Sequence, residues 1–305
     1  MKTNHKSKSK NNGPRTVVFG GSGFLGSHVA DALTEVGHQV TIYDRVKSSY
    51  LQESQKIIFG DILEEDKVEA AVKGADYVYN FAGIADIDEA SQKPVESVKY
   101  NILGNTYILE ACRKAKVKRF IFASSLYVYS KAGSFYKNTK QACELIIESY
   151  LERFALPYTI LRYGSLYGPR SDERNFIYRV ISQAIKERRI VRDGDGEEIR
   201  EYTHVHDAAK MSVEILSQEF SNQRVIIAGN QQMKVKDLLI MIKEMLDNKI
   251  EIKYRTAANN HHYEITPYTF APKVAKRIVS KTYLDLGQGM LELLNAMHAQ
   301  THHQK

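Results

Sequence analysis

Three glycines between a strand and a helix constrain this chain more than any other feature. A β-branched run over 16–20, TVVFG, leads into Gly20-Gly21-Ser22-Gly23-Phe24-Leu25-Gly26, and a helix-period segment over 24–36 comes next. The spacing Gly20-x-x-Gly23-x-x-Gly26 lets the backbone turn sharply, approach a pyrophosphate and pack helix against strand. The first N–H groups of a helix have no partner within it, and its N-terminus carries a partial positive charge suited to phosphate. A second strand ends at Asp44, eighteen residues past Gly26, where a carboxylate can accept the hydroxyls of an adenosine ribose. That carboxylate would repel a 2′-phosphate, so NAD is expected rather than NADP. Arg45, beside it, is the residue that argues the other way. The residues expected at the cofactor from this segment are Gly20, Gly23, Phe24, Leu25, Gly26, Asp44 and Arg45.

The rest of the chain repeats the same alternation. Strand-like runs stand at 39–43, 56–59, 77–81, 119–124, 158–163 and 224–228. Helix-period segments lie between most of them, at 64–72, 94–115, 136–153 and 206–217. Strands alternating with helices of this length give βαβ units and a parallel sheet. Near-continuous apolar strands fit a sheet covered on both faces. The expected fold is therefore α/β, a Rossmann-type doubly wound parallel sheet with a smaller C-terminal substrate-binding region. The dinucleotide-binding part is expected over 15–163, with 206–229 returning to it. The smaller region takes 164–205 and 230–297, where helices are expected at 175–188, 234–247 and 286–297. Residues 1–14 and 298–305 read as tails.

Composition removes several other classes. No run approaches the ~18 apolar residues of a membrane helix, so no membrane partner is expected. The two cysteines, Cys112 and Cys143, lie in helix-like runs and point to reduced thiols and a cytoplasmic setting. A net charge of +7 could suggest nucleic acid, but residues 1–15 hold five basic residues and no acid. Removing those five from +7 leaves only +2 for residues 16–305, so no nucleic-acid partner is expected. His298, His302, His303, His261 and His262 form no organised ligand set, and no metal is expected.

The spacing Tyr-x-x-x-Lys occurs three times, at Tyr43/Lys47, Tyr127/Lys131 and Tyr136/Lys140. The last pair alone opens a long helix, where residues i and i+4 share a face. It alone also comes after a strand ending in serines, Ser124-Ser125. A phenol titrating near 10 is a poor base at neutral pH. A lysine ammonium one turn away favours the phenolate. The phenolate can then take a proton from a substrate hydroxyl while hydride leaves the same carbon for a nicotinamide.

With these residues in place, the chain resembles the extended short-chain dehydrogenase/reductase family, in its nucleotide-sugar epimerase/dehydratase branch. The resemblance covers about residues 15–295. Gly60-Asp61-Ile62 resembles the family's adenine-contacting segment. Asn80-Phe81-Ala82-Gly83 resembles its fourth-strand motif, and Asn101 its central helix asparagine. These imply Asp61, Ile62, Phe81, Ala82, Gly83 and Asn101 at the cofactor, with Tyr136 and Lys140. Phe122 to Tyr129 resembles the fifth-strand motif and implies Ser125 as the catalytic hydroxyl beside Tyr136 and Lys140. Leu161 to Arg170, and Arg200 to Asp207, resemble the substrate segments. They imply Ser125, Tyr163, Ser165, Arg200 and Lys273 at a nucleotide sugar, with Arg200 gripping the diphosphate. The family's dimers imply a homodimer through helices 94–115 and 136–153.

Departures from the family pattern bear on the reaction. The Ser130–Phe135 connection is shorter than usual. Gly164-Ser165 replaces a common aromatic-Asn pair. Leu126 and Tyr127 stand where dehydratases carry Asp-Glu, and decarboxylases carry Glu at the second of these positions. The resemblance thus implies an NAD-dependent nucleotide-sugar epimerase, acting at C4 of a hexose. A dehydrogenase or keto-reductase is the alternative, with dehydratase and decarboxylase less favoured. An NAD-sensing regulator is the non-enzyme alternative. His204 and His206 are expected to pack or flank a helix capped by Asp207. Asp86 and Asp88 are expected to be solvated or capping.

Overall fold

The computed structural model describes residues 13–130, 132–230, 232–256, 276–278 and 282–302. The chain runs β1 (Arg15–Phe19), α1 (Phe24–Glu35), β2 (Gln39–Asp44), β3 (Lys56–Phe59), α2 (Glu65–Val72) and β4 (Tyr77–Asn80). It continues through α3 (Ile87–Gln92), α4 (Pro94–Ser97), a π-helix (Val98–Leu103), α5 (Gly104–Ala115) and β5 (Arg119–Ser125). A 3₁₀ turn (Leu126–Tyr129), α6 (Ser134–Phe154), β6 (Tyr158–Tyr163), β7 (Ser165–Tyr167), α7 (Phe176–Glu187) and β8 (Arg189–Asp193) come after it. Then come β9 (Ile199–His204), α8 (Val205–Glu214), β10 (Gln223–Ile227), β11 (Gln232–Lys234) and α9 (Val235–Met245). The chain closes with β12 (Glu251–Arg255), β13 (Lys276–Ile278) and α10 (Leu286–His302).

The main sheet has the order β13-β10-β6-β5-β4-β1-β2-β3, and every pairing in it is parallel. From β1 the chain steps outward to β2 and β3. It then returns to β4 on the other side of β1 and steps outward the opposite way. The connections leaving β1 and β4 therefore diverge, and their carboxyl ends open a crevice where α/β sheets bind ligands. Helices cover both faces, as the apolar strands require. On one face Val17, Phe19, Val78, Phe120 and Ile160 pack with residues of α2, α5 and α6, including Val68, Ile108 and Ile147. On the other face Val18, Ile42, Tyr79, Ile121 and Leu161 pack with α1 and α8, through Val29, Leu33, Ala208 and Met211.

A separate apolar cluster joins Ile177, Ile181, Ile190, Leu238, Leu239, Ile242, Leu293 and Leu294 from α7, β8, α9 and α10. Two small sheets accompany it, one ordered β11-β9-β7 and one pairing β12 with β8. These five short strands were not expected from the sequence. Gln232-Met233-Lys234 and Arg189-Ile190-Val191-Arg192-Asp193 are too short and too polar for a clean alternation. The segment expected as one helix over 94–115 is instead α4, the π-helix and α5. The wider turn falls at Asn101, a buried residue whose side chain serves the loop after β4. π-bulges are commonly found at such functional positions.

Candidate active site

The glycine loop is shaped by contact as well as by conformation. Gly20 has φ of +73°, and a Cβ there would lie 2.7 Å from the backbone nitrogen of Ala82. A Cβ on Gly26 would lie 2.2 Å from the carbonyl oxygen of Gly20. Glycine alone lets β1, the loop after β4 and the start of α1 meet this closely. Gly23 is the N-cap of α1 and has no side chain to occupy the helix N-terminus. The amides of Phe24, Leu25 and Gly26 stand in the first turn, where helix N–H groups lack intrahelical partners.

Asp44 ends β2 beside this loop. Its carboxylate accepts from the amide of Ser22 at 3.0 Å and from that of Val46 at 3.2 Å. Arg45 turns away toward Asp61, 3.6 Å distant, and lies over the Tyr100 ring at 5.1 Å. The competing residue for a 2′-phosphate is thereby engaged elsewhere. Asp61 also accepts from the amide of Leu63 at 3.0 Å, while Ile62 is buried against Gly104.

The loop after β4 is fixed by three asparagines. Phe81 extends the sheet by donating its amide to Phe19 O at 2.9 Å. Asn80 accepts from the Ala82 amide at 3.0 Å and donates to Asn105 at 2.9 Å. Asn101 accepts from the Ile84 amide at 2.7 Å and donates to Ile84 O and to Thr139 Oγ1, each at 3.0 Å. Asn101 therefore ties the cofactor side of the sheet to α6.

Ser125 ends β5, and its hydroxyl accepts from the Tyr127 amide at 3.3 Å. Tyr136 and Lys140 stand in the first two turns of α6. The Lys140 ammonium lies 5.8 Å from the centre of the Tyr136 ring and 4.8 Å from that of Phe122. It donates to Ala123 O at 2.7 Å, so it grips the strand just before Ser124 and Ser125. Burial pushes its pKa down to about 8, while Cys143 and Glu144 act to raise it. Tyr127 meets the Tyr136 ring edge-on, with centroids 6.1 Å apart.

The expected substrate residues fare differently. Ser165 lies in β7 beside Tyr202 of β9, and the largely buried Arg200 lies in β9 beside Met233. Tyr163 is buried on the α8 side of the sheet. Its hydroxyl shares a 2.6 Å hydrogen bond with Ser212 in the α8-side core, and its ring faces Phe81. Strand alternation turns this side chain away from the α6 face. Lys273 lies outside the described residues.

Other polar residues resolve by geometry. Asp86 caps α3 by accepting from the Glu89 amide at 2.8 Å. His204, not Asp207, is the N-cap of α8, through a long 3.4 Å bond from the His206 amide to its Nδ1. Asp207 instead accepts from the Leu284 amide at 2.9 Å. His204, His206 and Glu292 present possible ligand atoms within 4.8 Å of one another, a grouping the sequence did not suggest. With Nδ1 accepting, the His204 proton sits on Nε2, which faces Glu292 Oε2 at 3.5 Å. Sequence reasoning also missed Glu144 and Arg162, which form a buried pair behind the serines. The one sequence signal for Glu144 was its position a turn beyond Lys140.

Comparison with known proteins decides the family. The family described as "NAD dependent epimerase/dehydratase family" matches residues 16–229. The chain belongs to that family. NAD is accordingly the cofactor, and the glycine contacts, the bare helix N-terminus and the Asp44 carboxylate fit it. The family's members differ in reaction. The chain is 29% identical over 264 residues to the UDP-N-acetyl-alpha-D-glucosaminuronate decarboxylase of Bacillus cytotoxicus, covering 78% of this chain and 82% of that protein. It is 26% identical to the human dTDP-D-glucose 4,6-dehydratase, covering 75% of this chain and 74% of that one. Among solved structures, the UDP-N-acetylglucosamine 4-epimerase of Methanobrevibacter ruminantium matches with a TM-score of 0.83 at 26% identity. That match covers 94% of this chain and 99% of the epimerase, which was solved in complex with UDP-N-acetylmuramic acid.

Proposed function

We propose that this family member is an epimerase that inverts C4 of a UDP-linked hexose. The observation that carries this reading lies in the two residues after Ser125. Leu126 is fully buried in an apolar cluster with Ile226 and Ala228, and Tyr127 lies edge-on to Tyr136. Neither position offers a carboxyl group to shuttle protons for water elimination or to assist loss of carbon dioxide.

Bound NAD would accept a hydride from the sugar and later return it. Lys140 keeps a positive charge one turn from Tyr136 and favours its phenolate. Tyr136 Oη removes the C4 hydroxyl proton as the C4–H bond breaks, leaving a 4-keto sugar. Ser125 donates to the same oxygen and orients it. Tyr136 would give the proton back to the C4 oxygen as the epimer forms, which restores its phenolate. Asp44 holds the adenosine ribose, and the Gly20–Gly26 loop holds the pyrophosphate. Ser165, Arg200 and Lys273 are assigned to the UDP-sugar.

The protein is further proposed to act in the cytoplasm as a homodimer. Its two buried cysteines are free thiols. Among the described residues no helix is long and apolar enough to cross a membrane. Exposed Val95, Val98, Leu103, Leu145 and Phe154 lie on α4, the π-helix and α6, the faces a pairing of helices would cover.

The test is incubation with UDP-glucose, UDP-N-acetylglucosamine, UDP-glucuronate and their C4 epimers, with products read by NMR. Interconversion without net change in NAD supports the reading. Stoichiometric NADH formation, a 4-keto-6-deoxy product or release of carbon dioxide would each replace it. Light scattering tests the dimer, which Leu145→Glu should split.

A further inference from the structure

Behind the two serines lies a polar cluster that the reaction above does not use. Glu144 and Arg162 are only 4% and 5% exposed. Arg162 holds Glu144 with two prongs, Nε to Oε1 at 3.0 Å and Nη2 to Oε2 at 2.5 Å. Ser124 donates its hydroxyl to Glu144 Oε1 at 2.5 Å. The third guanidinium nitrogen of Arg162 donates to the Tyr129 hydroxyl, and the guanidinium lies 4.5 Å from the centre of that ring. Arg224 of β10 adds a second cation 3.6 Å from Glu144 and also pairs with Glu148.

We propose that the Glu144–Arg162 pair is a positioning device that sets the place of Ser125 relative to Tyr136 and Lys140. This rests on the catalytic roles assigned above. Three contacts converge on the short connection between β5 and α6. Lys140 holds Ala123 O, and Glu144, one turn later on the same helix, holds the next residue, Ser124. Arg162 lies directly opposite Ser124 in the sheet and reaches Tyr129, the last residue of the 3₁₀ turn. Gln141 adds a bond to Val128 O at 2.7 Å. Ser125 is thus bracketed by anchored residues on both sides.

The arrangement also fixes α6. Lys140 and Glu144 differ by about one helical turn and Tyr136 and Glu144 by about two, with a rise of ~1.5 Å per residue. Gripping Ser124 and Ala123 together therefore sets both the axial position and the rotation of the helix that carries Tyr136. A buried ion pair is a poor source of stability compared with apolar packing, but it can fix register. A connection of only eight residues, 126–133, gives such a device direct leverage on the reacting groups.

The experiment uses full-length, NAD-loaded protein and four variants. Ser124→Ala removes the hydroxyl that Glu144 holds, Glu144→Gln removes the charge and one arm of the Arg162 fork, and Ser124→Thr keeps the hydroxyl. Glu152→Gln changes an exposed residue of the same helix that touches neither β5 nor the cluster. On the wild type's best substrate, kcat should fall about tenfold in Ser124→Ala and further in Glu144→Gln. KM and bound NAD should change less than about twofold in Ser124→Ala, and Ser124→Thr should recover most of kcat. Glu152→Gln should behave as wild type.

A second readout needs no turnover. The 19F resonance of Tyr136 in 3-fluorotyrosine-labelled protein is identified by its loss in Tyr136→Phe. It should shift or split in Ser124→Ala and Glu144→Gln but not in Glu152→Gln. An unmoved Tyr136 resonance, or kcat per folded molecule unchanged in Ser124→Ala, overturns the proposal. Absence of turnover in the wild type together with a shifted resonance overturns the epimerase reading and leaves the positioning role standing.

Discussion

Lys140 holds its charge against burial. Folding lowers its pKa to about 8, because the buried ammonium loses water, while Cys143 and Glu144 act against the shift. The charge proposed to favour the Tyr136 phenolate is therefore complete below that pH and disappears as pH rises through it. We expect kcat to be level near pH 7 and to fall as pH rises past about 8. A pH–rate profile at saturating substrate checks this, and a rate still rising at pH 9 would mean the ammonium is not required. Tyr136→Phe removes the proposed proton acceptor but leaves the ring in place. It should lower turnover by about 10²- to 10⁴-fold, with bound NAD unchanged by absorbance or fluorescence. At this scale the sequence was informative where chemistry dictates residue type. Tyr163 was not legible, because which face of β6 it occupies depends on the register with β5 and β10.

Among the elements, the β1–α1 turn tolerates little change. Gly26→Ala would set a methyl group 2.2 Å from the backbone oxygen of Gly20, and neither backbone can withdraw without parting β1 from α1. Loss of bound NAD and a lower unfolding midpoint are expected, checked by cofactor content after purification and by thermal melts. A variant that retains full NAD would show that the loop can relax. This turn, seven of the eight strands of the main sheet and most helices were readable from periodicity and punctuation, whereas β13 falls in the segment assigned to the smaller region. The π-helix was not, since an extra residue in a helical turn leaves no mark on a pattern that drifts anyway. The small sheets were equally hidden. Their strands gain stability from pairing across β7, β9 and β11 rather than from their own alternation.

For the whole molecule, acid is the sharpest stress. His28 and His204 are buried where α1, α8 and the β7–α7 loop meet, and burial lowers their pKa values to about 4 and about 3. An exposed histidine in the unfolded chain titrates near 6.5, so the unfolded state takes up protons first as pH falls. Their contribution to stability is whole above that pH and is lost as pH falls toward the folded values. Between pH 7 and pH 5 the loss should be about 2 kcal/mol for each histidine. Urea unfolding at the two pH values checks this. An unchanged unfolding free energy would mean that the folded protein accommodates the charged imidazoles.

The sequence by itself determined the parallel α/β fold and the NAD cofactor, and it singled out the glycine loop, Asp44 and the Ser125, Tyr136, Lys140 trio proposed for the site. Each depends on local spacing or on residue types that the chemistry demands. Tertiary structure decided which of several aromatic and basic residues face the crevice, and which acid caps or clamps. It alone brought Glu144, Arg162, Ser124 and Tyr129 together. Those four come from two strands, a turn and a helix, so only the packing of β5, β6 and α6 makes them neighbours.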